Sequence, residues 1–251
     1  MTPAIDIRGL TKQYKDVRAV DDVTFSVAPG EVFGFVGHNG AGKTTTIQML
    51  LGLLRPTAGS ARVLGRDVVA DSLAVRRISG FLPASYALPR DMTPVTFLAY
   101  VASMFGLSGK PVRNKIDELL TMFDLGKVAK KKLGGFSSGM TQKVGLAQAL
   151  INDPQVLFLD EPSTALDPIG RADLMRHLAT LARDKGVTVL FSTHILSDIE
   201  DASQRVAILH HGRLLAAGDL AELKAAHGTP RMDDLYLTLV RGAMAREGIT
   251  P

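Results

Sequence analysis

The chain has 251 residues, enough for one large domain or for a core domain carrying a subdomain. Apolar residues make up 46% and charged residues 22%, ordinary for a soluble globular protein, and the absence of cysteine excludes disulfides and thiolate metal sites. A net charge of +4 suits an anionic ligand or an anionic membrane surface but is too small to argue for nucleic acid.

The start, MTPAIDIRGLTK, lacks the basic-then-apolar pattern of a signal peptide. No apolar run approaches the roughly 20 residues that cross a bilayer, so a cytosolic chain is expected, held at any membrane by something else. AIDIRGL alternates as a strand, and VDDVTFSVAPGEVFGFVG reads as two strands joined at Pro29-Gly30. A helix is expected from about Lys43 to Leu54, with Pro56 helping to end it. GSARVLG and RISGFLP are short strand candidates. TPVTFLAYVASMFGL and KPVRNKIDELLTMFDL then follow as two amphipathic helices with no strand between them, and a third begins near Met140. QVLFLDE and GVTVLFSTH are near-continuous apolar runs flanking the helix IGRADLMRHLATLARDK, as in a parallel sheet covered on both faces. VAILHHGRLLAAG predicts a hairpin turning near His211-Gly212, and two outer helices close the chain.

The pattern predicts an α/β fold: a mostly parallel phosphate-loop sheet, an N-terminal antiparallel β part, and a helical insertion. Residues 1–87 and 153–220 form the expected core, 88–152 the helical subdomain and 221–251 a helical tail. For that tail, a dimer contact, a regulatory element and a packed helix stay open.

GHNGAGKTT, Gly37 to Thr45, fits G-x-x-x-x-G-K-[ST] between a strand and a helix. Gly37, His38, Asn39, Gly40, Ala41 and Gly42 would wrap backbone N–H groups around phosphates, with the helix N-terminus adding a favourable dipole. Lys43 would reach the β- and γ-phosphates, Thr44 would ligate Mg2+, and Thr45 could touch a phosphate nearer the nucleoside. VLFLDEP delivers Asp160 and Glu161 to the ligand-binding edge of a parallel sheet. Asp160 would support Mg2+, and Glu161 would polarise the water that attacks the γ-phosphate. FSTH places His194 on the same edge, where it can donate to a γ-phosphate oxygen. The other five histidines, His38 and the His210-His211 pair among them, read as loop or surface residues whose spacing suggests no metal site. The stretch from Lys131 to Ile151, KKLGGFSSGMTQKVGLAQALI, reads locally as a linker running into a helix.

In this order and approximate spacing, GHNGAGKTT, FSSGM at 136–140, VLFLDEPSTALD at 156–167 and STH at 192–194 resemble the ATP-binding cassette family, the ATPase subunits of ABC transporters. The resemblance covers residues 4 to about 220. It implies ATP and Mg2+ as ligands, hydrolysis of ATP, and a head-to-tail dimer of two copies with two ATP molecules between them. Tyr14 would stack on adenine, and Asp167 in STALD would lie near the dimer seam. FSSGM resembles the family signature usually written LSGGQ: Ser137 would donate to a γ-phosphate across the seam, Gly139 would permit close approach, and Ser138 and Met140 would complete the contact. The linker-like stretch then becomes half of a binding site. A separate transmembrane permease would dock near residues 84–105, leaving the chain cytoplasmic and peripheral on the inner face of the membrane, with no nucleic acid expected.

There are departures. Phe136, Ser138 and Met140 replace Leu, Gly and Gln of the signature, and GM followed by GLAQAL resembles exporter-type members. Ala84 stands where the family usually has Gln. Either Ser85 substitutes, or backbone and water fill the gap, or hydrolysis is slowed. The alternatives to a transport ATPase are a soluble cassette ATPase acting on ribosomes or DNA, and a cassette with impaired hydrolysis that uses ATP mainly as dimer glue.

Overall fold

The structure, a computed structural model, describes residues 2–246; Met1 and the last five residues of the expected tail lie outside the described residues. Two sheets share the chain. The first is antiparallel, in the order β2 (Val17–Val27), β1 (Ile5–Tyr14), β4 (Ala58–Val63), β5 (Arg66–Asp67). The second has six strands in the order β10 (Arg213–Asp219), β9 (Arg205–His210), β3 (Val32–Val36), β8 (Thr188–Thr193), β7 (Val156–Asp160), β6 (Ser79–Leu82). All of its pairings are parallel except that of β9 with β10. The α/β class is therefore as expected. The two strands joined at Pro29-Gly30 are β2 and β3, and they belong to different sheets.

The apolar runs of the central strands are explained by what lies on each face. Along β7, Leu157 and Leu159 enter one core while Val156 and Phe158 enter the other; along β9, Val206 and Ile208 separate in the same way from Ala207 and Leu209. Alternate side chains point to opposite faces, so a strand buried on both must be apolar at every position. The core shared with the antiparallel sheet is joined by Phe25 on β2 and Phe33 on β3, whose rings stack with centroids 5.3 Å apart. Asp21 of β2 also takes ion pairs from Arg18 and from Arg213 of β10. The hydrogen bond from Arg18 is the largest cause of a carboxyl held below its usual range.

Helices α1 (Lys43–Leu50), α2 (Ser72–Ile78), α3 (Pro94–Met104), α4 (Gly109–Met122), α5 (Ser138–Ala149), α6 (Pro168–Lys185), α7 (Leu196–Ala202), α8 (Leu220–Ala226) and α9 (Met232–Arg246) complete the fold. Helix α1 ends four residues earlier than the sequence pattern suggests, because Gly52 takes a left-handed conformation and its N–H bonds back to Met49 rather than continuing the ladder. Helix α5 starts at Ser138, before the expected Met140, because Ser137 is extended and its Oγ accepts the Met140 N–H. Helix α6 opens on an Asp167 cap with Pro168 at its first position and closes on left-handed Gly186. Helices α2 and α7 and the two-residue β5 had no distinct signal of their own. In the tail, Met232 and Leu235 of α9 are buried in the core, so within the described residues this segment is a packed helix. No helix among the described residues is long and apolar enough to cross a membrane.

The far half of α5 lies directly on β6. A Cβ on Gly80 of β6 would come 1.9 Å from the Ala149 carbonyl, closer than packing allows. Gly80→Ala must push helix and strand apart and is expected to cost about 1–3 kcal/mol, read as a lower urea midpoint with an unchanged slope. An unshifted midpoint would show that the contact is not a constraint.

Candidate functional site

The loop from Gly37 to Gly42 leaves the C-terminal end of β3 and enters α1. Gly42 caps α1 at φ 103°, and a Cβ there would lie 2.4 Å from the Ala19 carbonyl, so both conformation and space demand glycine. Lys43 is only 5% exposed. Its ammonium donates to the carbonyls of Gly37 (2.5 Å) and His38 (3.2 Å) and lies 3.0 Å from Glu161 Oε1. A buried ammonium requires such partners, and here they are two loop carbonyls and one carboxylate.

Strands β7 and β8 are in register, Asp160 opposite Ser192, which assembles the acidic side of the site. Asp160 is fully buried and accepts from Thr44 Oγ1 (2.6 Å) and Ser192 Oγ (2.5 Å). Glu161 follows with φ 53°, a left-handed conformation uncommon for a non-glycine residue. Its N–H donates to Ser192 Oγ at 3.0 Å, and its Oε2 lies 2.7 Å from His194 Nδ1. A carboxylate only accepts, so Nδ1 of His194 carries a proton. Ser192, missed in the sequence, therefore ties the Asp160 carboxylate to the Glu161 backbone. Its position two residues before His194 in FSTH was the available signal.

A cleft of about 430 Å³ is lined by residues 38–40 and 42–45 of the loop, by Ala19, by Glu161 and by Ala84, with Gly37 and buried Ala41 behind it. Ala84 thus faces Lys43, Thr44 and Glu161 with a methyl group, and Ser85 is not among the lining residues. Tyr14 is not among them either. It is 44% exposed at the end of β1, with Lys12 Nζ 5.1 Å from its ring centroid.

The segment Ser137–Met140 also lies outside this cleft. Gln142 of α5 donates to the Pro162 carbonyl (2.8 Å), and a Cβ on Gly139 would meet the Ala165 carbonyl at 3.2 Å, so the start of α5 sits against the loop carrying Asp167. Asp167 Oδ1 accepts the Gly170 N–H at 2.8 Å as a helix cap. Tyr86 donates to the Thr141 carbonyl (2.9 Å), and burial pushes its phenol above the usual range. Behind the acidic loop, buried Asp198 accepts from Ser163 Oγ (2.5 Å) and Arg171 Nη2 (2.9 Å). These contacts span 35 and 27 residues and left no local trace in the sequence.

His38 lies in the phosphate loop beside the end of β9. Its ring centroid is 5.0 Å from that of His210, which is buried, and 4.8 Å from that of His211. His38 in its loop and exposed His211 on its turn are placed as expected, whereas His210 is buried on β9 and the three rings are grouped. The spacing along the chain could not show the grouping, because His38 arrives from a different strand. Burial raises the Tyr236 phenol of α9, opposed by a hydrogen bond with the His38 backbone.

The arrangement offers a glycine-walled cradle with one buried cation, a hydroxyl–carboxylate pair of hard oxygens, and a carboxylate held between an ammonium and an imidazole. Comparisons with known proteins agree with what such a site binds. The profile of the ABC transporter family matches residues 20–164. The bacitracin transport ATP-binding protein BcrA of Bacillus licheniformis is 40% identical over 218 residues, 86% of this chain and 69% of that protein. A solved ATP-binding subunit of an ABC transporter superposes with a TM-score of 0.86 at 32% identity, over 95% of this chain and all of its own. A dimeric ATP-binding cassette in a post-hydrolysis state, bound to ADP and Pi, superposes with a TM-score of 0.80 at 25% identity, over 86% of this chain and 98% of its own. Taken with the phosphate loop and its facing carboxylates, these likenesses establish that the chain belongs to the ABC transporter family, as an ATP-binding ATPase subunit.

Proposed function

We propose that the chain powers an exporter by hydrolysing ATP between two copies of itself and passing the closure to a separate membrane-spanning permease. The observation that carries the reading is the position of Glu161, with one oxygen on Lys43 and the other on His194. An incoming γ-phosphate competes for Lys43, and its binding frees Glu161 Oε1 to hold a water. That water attacks the γ-phosphorus, the bond to the bridging oxygen breaks, and Glu161 orients the nucleophile and accepts its proton. Because Nδ1 of His194 faces Glu161, Nε2 is the ring nitrogen left to meet a phosphate oxygen. Thr44 and Asp160 are the residues that would hold Mg2+, whose chemistry is to neutralise charge on the β- and γ-phosphates.

Two copies are invoked because the segment 137–140 is outside the cleft of its own chain. Ser137, Ser138, Gly139 and Met140 of one copy would face the ATP held by the other, with Asp167 near the seam and Tyr14 against the base. That closure would place the helix start of α5 against phosphate. The exporter assignment is supported by the GM…GLAQAL pattern and by the likeness to BcrA. The permease would dock at a groove of about 320 Å³ bordered by Leu51, Leu53, Phe81, Pro83 and Phe105, beside which Met104 is 69% exposed at the end of α3. This would hold the chain on the cytoplasmic face of the membrane.

Glu161→Gln is expected to lower turnover by at least about 10²-fold and to accumulate an ATP-bound dimer, seen by size exclusion with light scattering. A variant that stays monomeric with ATP and Mg2+ at every concentration overturns the interfacial model. Ser137→Arg should bind ATP near the parental affinity yet fail to hydrolyse it, with Ser137→Ala as a control for the roughly 1 kcal/mol helix-cap loss. Hydrolysis surviving in the Arg variant would remove the segment from the site. Phe105→Asp should reduce recovery of the membrane subunit on copurification by about tenfold or more, and unchanged recovery would move the docking surface elsewhere.

A further inference from the structure

His38, His210 and His211 each bring one ring nitrogen within 4.8 Å of those of the other two. We propose that they form a binding site for one divalent metal ion of the imidazole-preferring class, represented by Zn2+. It is distinct from the Thr44–Asp160 pair that suits Mg2+.

The chemistry of His38 is the strongest support. Its Nδ1 lies 2.7 Å from the Asn39 carbonyl, which can only accept, so Nδ1 carries the proton. The lone pair is then on Nε2, and that atom is buried with no hydrogen-bond partner. A carbonyl fixing the tautomer of a ligating histidine through its other nitrogen is the usual support of a metal–imidazole bond. Leaving such a nitrogen buried and unpaired costs stability, and a metal ion would recover it.

The frame is rigid enough to be a site. The β9–β10 turn is pinned to the phosphate loop by the Gly212 N–H donating to the Ala41 carbonyl (3.0 Å), and to β2 by the Asp21 N–H donating to the Gly212 carbonyl (2.8 Å). Arg213 adds an ion pair to Asp21 at 2.9 Å. His211 adopts φ 45° and Gly212 φ 80°, a two-residue turn of the kind usually made by Asn-Gly. The turn thus spends its tight geometry on presenting an imidazole. Burial falls from His210 through His38 to exposed His211, which gives the ion an entry path and leaves solvent for a fourth ligand. Ring nitrogens about 2.0–2.1 Å from one ion would sit closer together than 4.8 Å, and His211, exposed on its turn, has room to close that gap. Three neutral imidazoles favour Zn2+ and its neighbours over Mg2+ or Ca2+. Lys43 touches the His38 carbonyl at 3.2 Å and has Glu161 as its counter-ion.

The test uses the full chain without a histidine tag, stripped of metal by chelation, and titrates Zn2+ alone by calorimetry. One Zn2+ per chain is expected. His38→Ala and His211→Ala should each weaken binding by about tenfold or more, while His227→Ala, a histidine outside the cluster, should keep the parental affinity. Zn2+ should also raise the melting temperature of the parent and raise that of His211→Ala by clearly less at the same concentration, a ligand-linkage readout independent of nucleotide. His211 is exposed on a turn, so its variant separates loss of the ligand from loss of the fold. The proposal is overturned if the parent shows neither heat nor a melting shift at about a hundredfold excess of Zn2+. It is equally overturned if His38→Ala and His211→Ala both bind as the parent does.

Discussion

Everything chemical in this chain depends on the register of three parallel strands. Val36 pairs with Thr193 and Asp160 with Ser192, so the loop after β3, the carboxylate turn after β7 and the histidine after β8 all leave the sheet at one edge. Parallel strands bring the ends of distant segments together without a hairpin, which is why Lys43, Glu161 and His194, far apart in the chain, touch in a line. A slip of one residue in β7 would exchange its two faces, sending Phe158 into the wrong core and Asp160 away from Thr44. The core and the site therefore enforce the same register.

This double duty decides what could be read from residues alone. The apolar strands, the glycine-rich loop and the acidic strand end were legible because each is a local pattern with a local cause: burial on two faces, close backbone approach, the edge of a sheet. Ser192, the Asp198–Ser163–Arg171 network and the three clustered histidines were not, because each is made by contacts between segments with no common spacing. Helix ends fell between. The stop of α1 is local, but it lies at left-handed Gly52 rather than at Pro56. The start of α5 at Ser138 rests on a cap that also belongs to the FSSGM segment. The family likeness implies a further role for that segment, which local composition could not suggest.

The helical segment between β6 and β7 is attached to the sheet at points that bear on the site. Gln142 holds the Pro162 carbonyl just past Glu161, Tyr86 holds the Thr141 carbonyl, and Gly80 admits the Ala149 carbonyl against β6. Two of these are hydrogen bonds to main-chain oxygens and the third is a close backbone approach, so the path of α5 is fixed whatever its exposed side chains are. The segment Leu82–Tyr86, with Ala84 on the cleft wall and Tyr86 on α5, joins the phosphate side of the molecule to the helix that begins at Ser138.

The pairing of Lys43 with Glu161 has a consequence for ligand capture. Each is the other's counter-ion in a pocket where neither charge is easily solvated, so an anion must displace a carboxylate to enter fully. A phosphate that takes Lys43 would also release the carboxylate, so ligand capture and the freeing of Glu161 become one exchange at one ammonium.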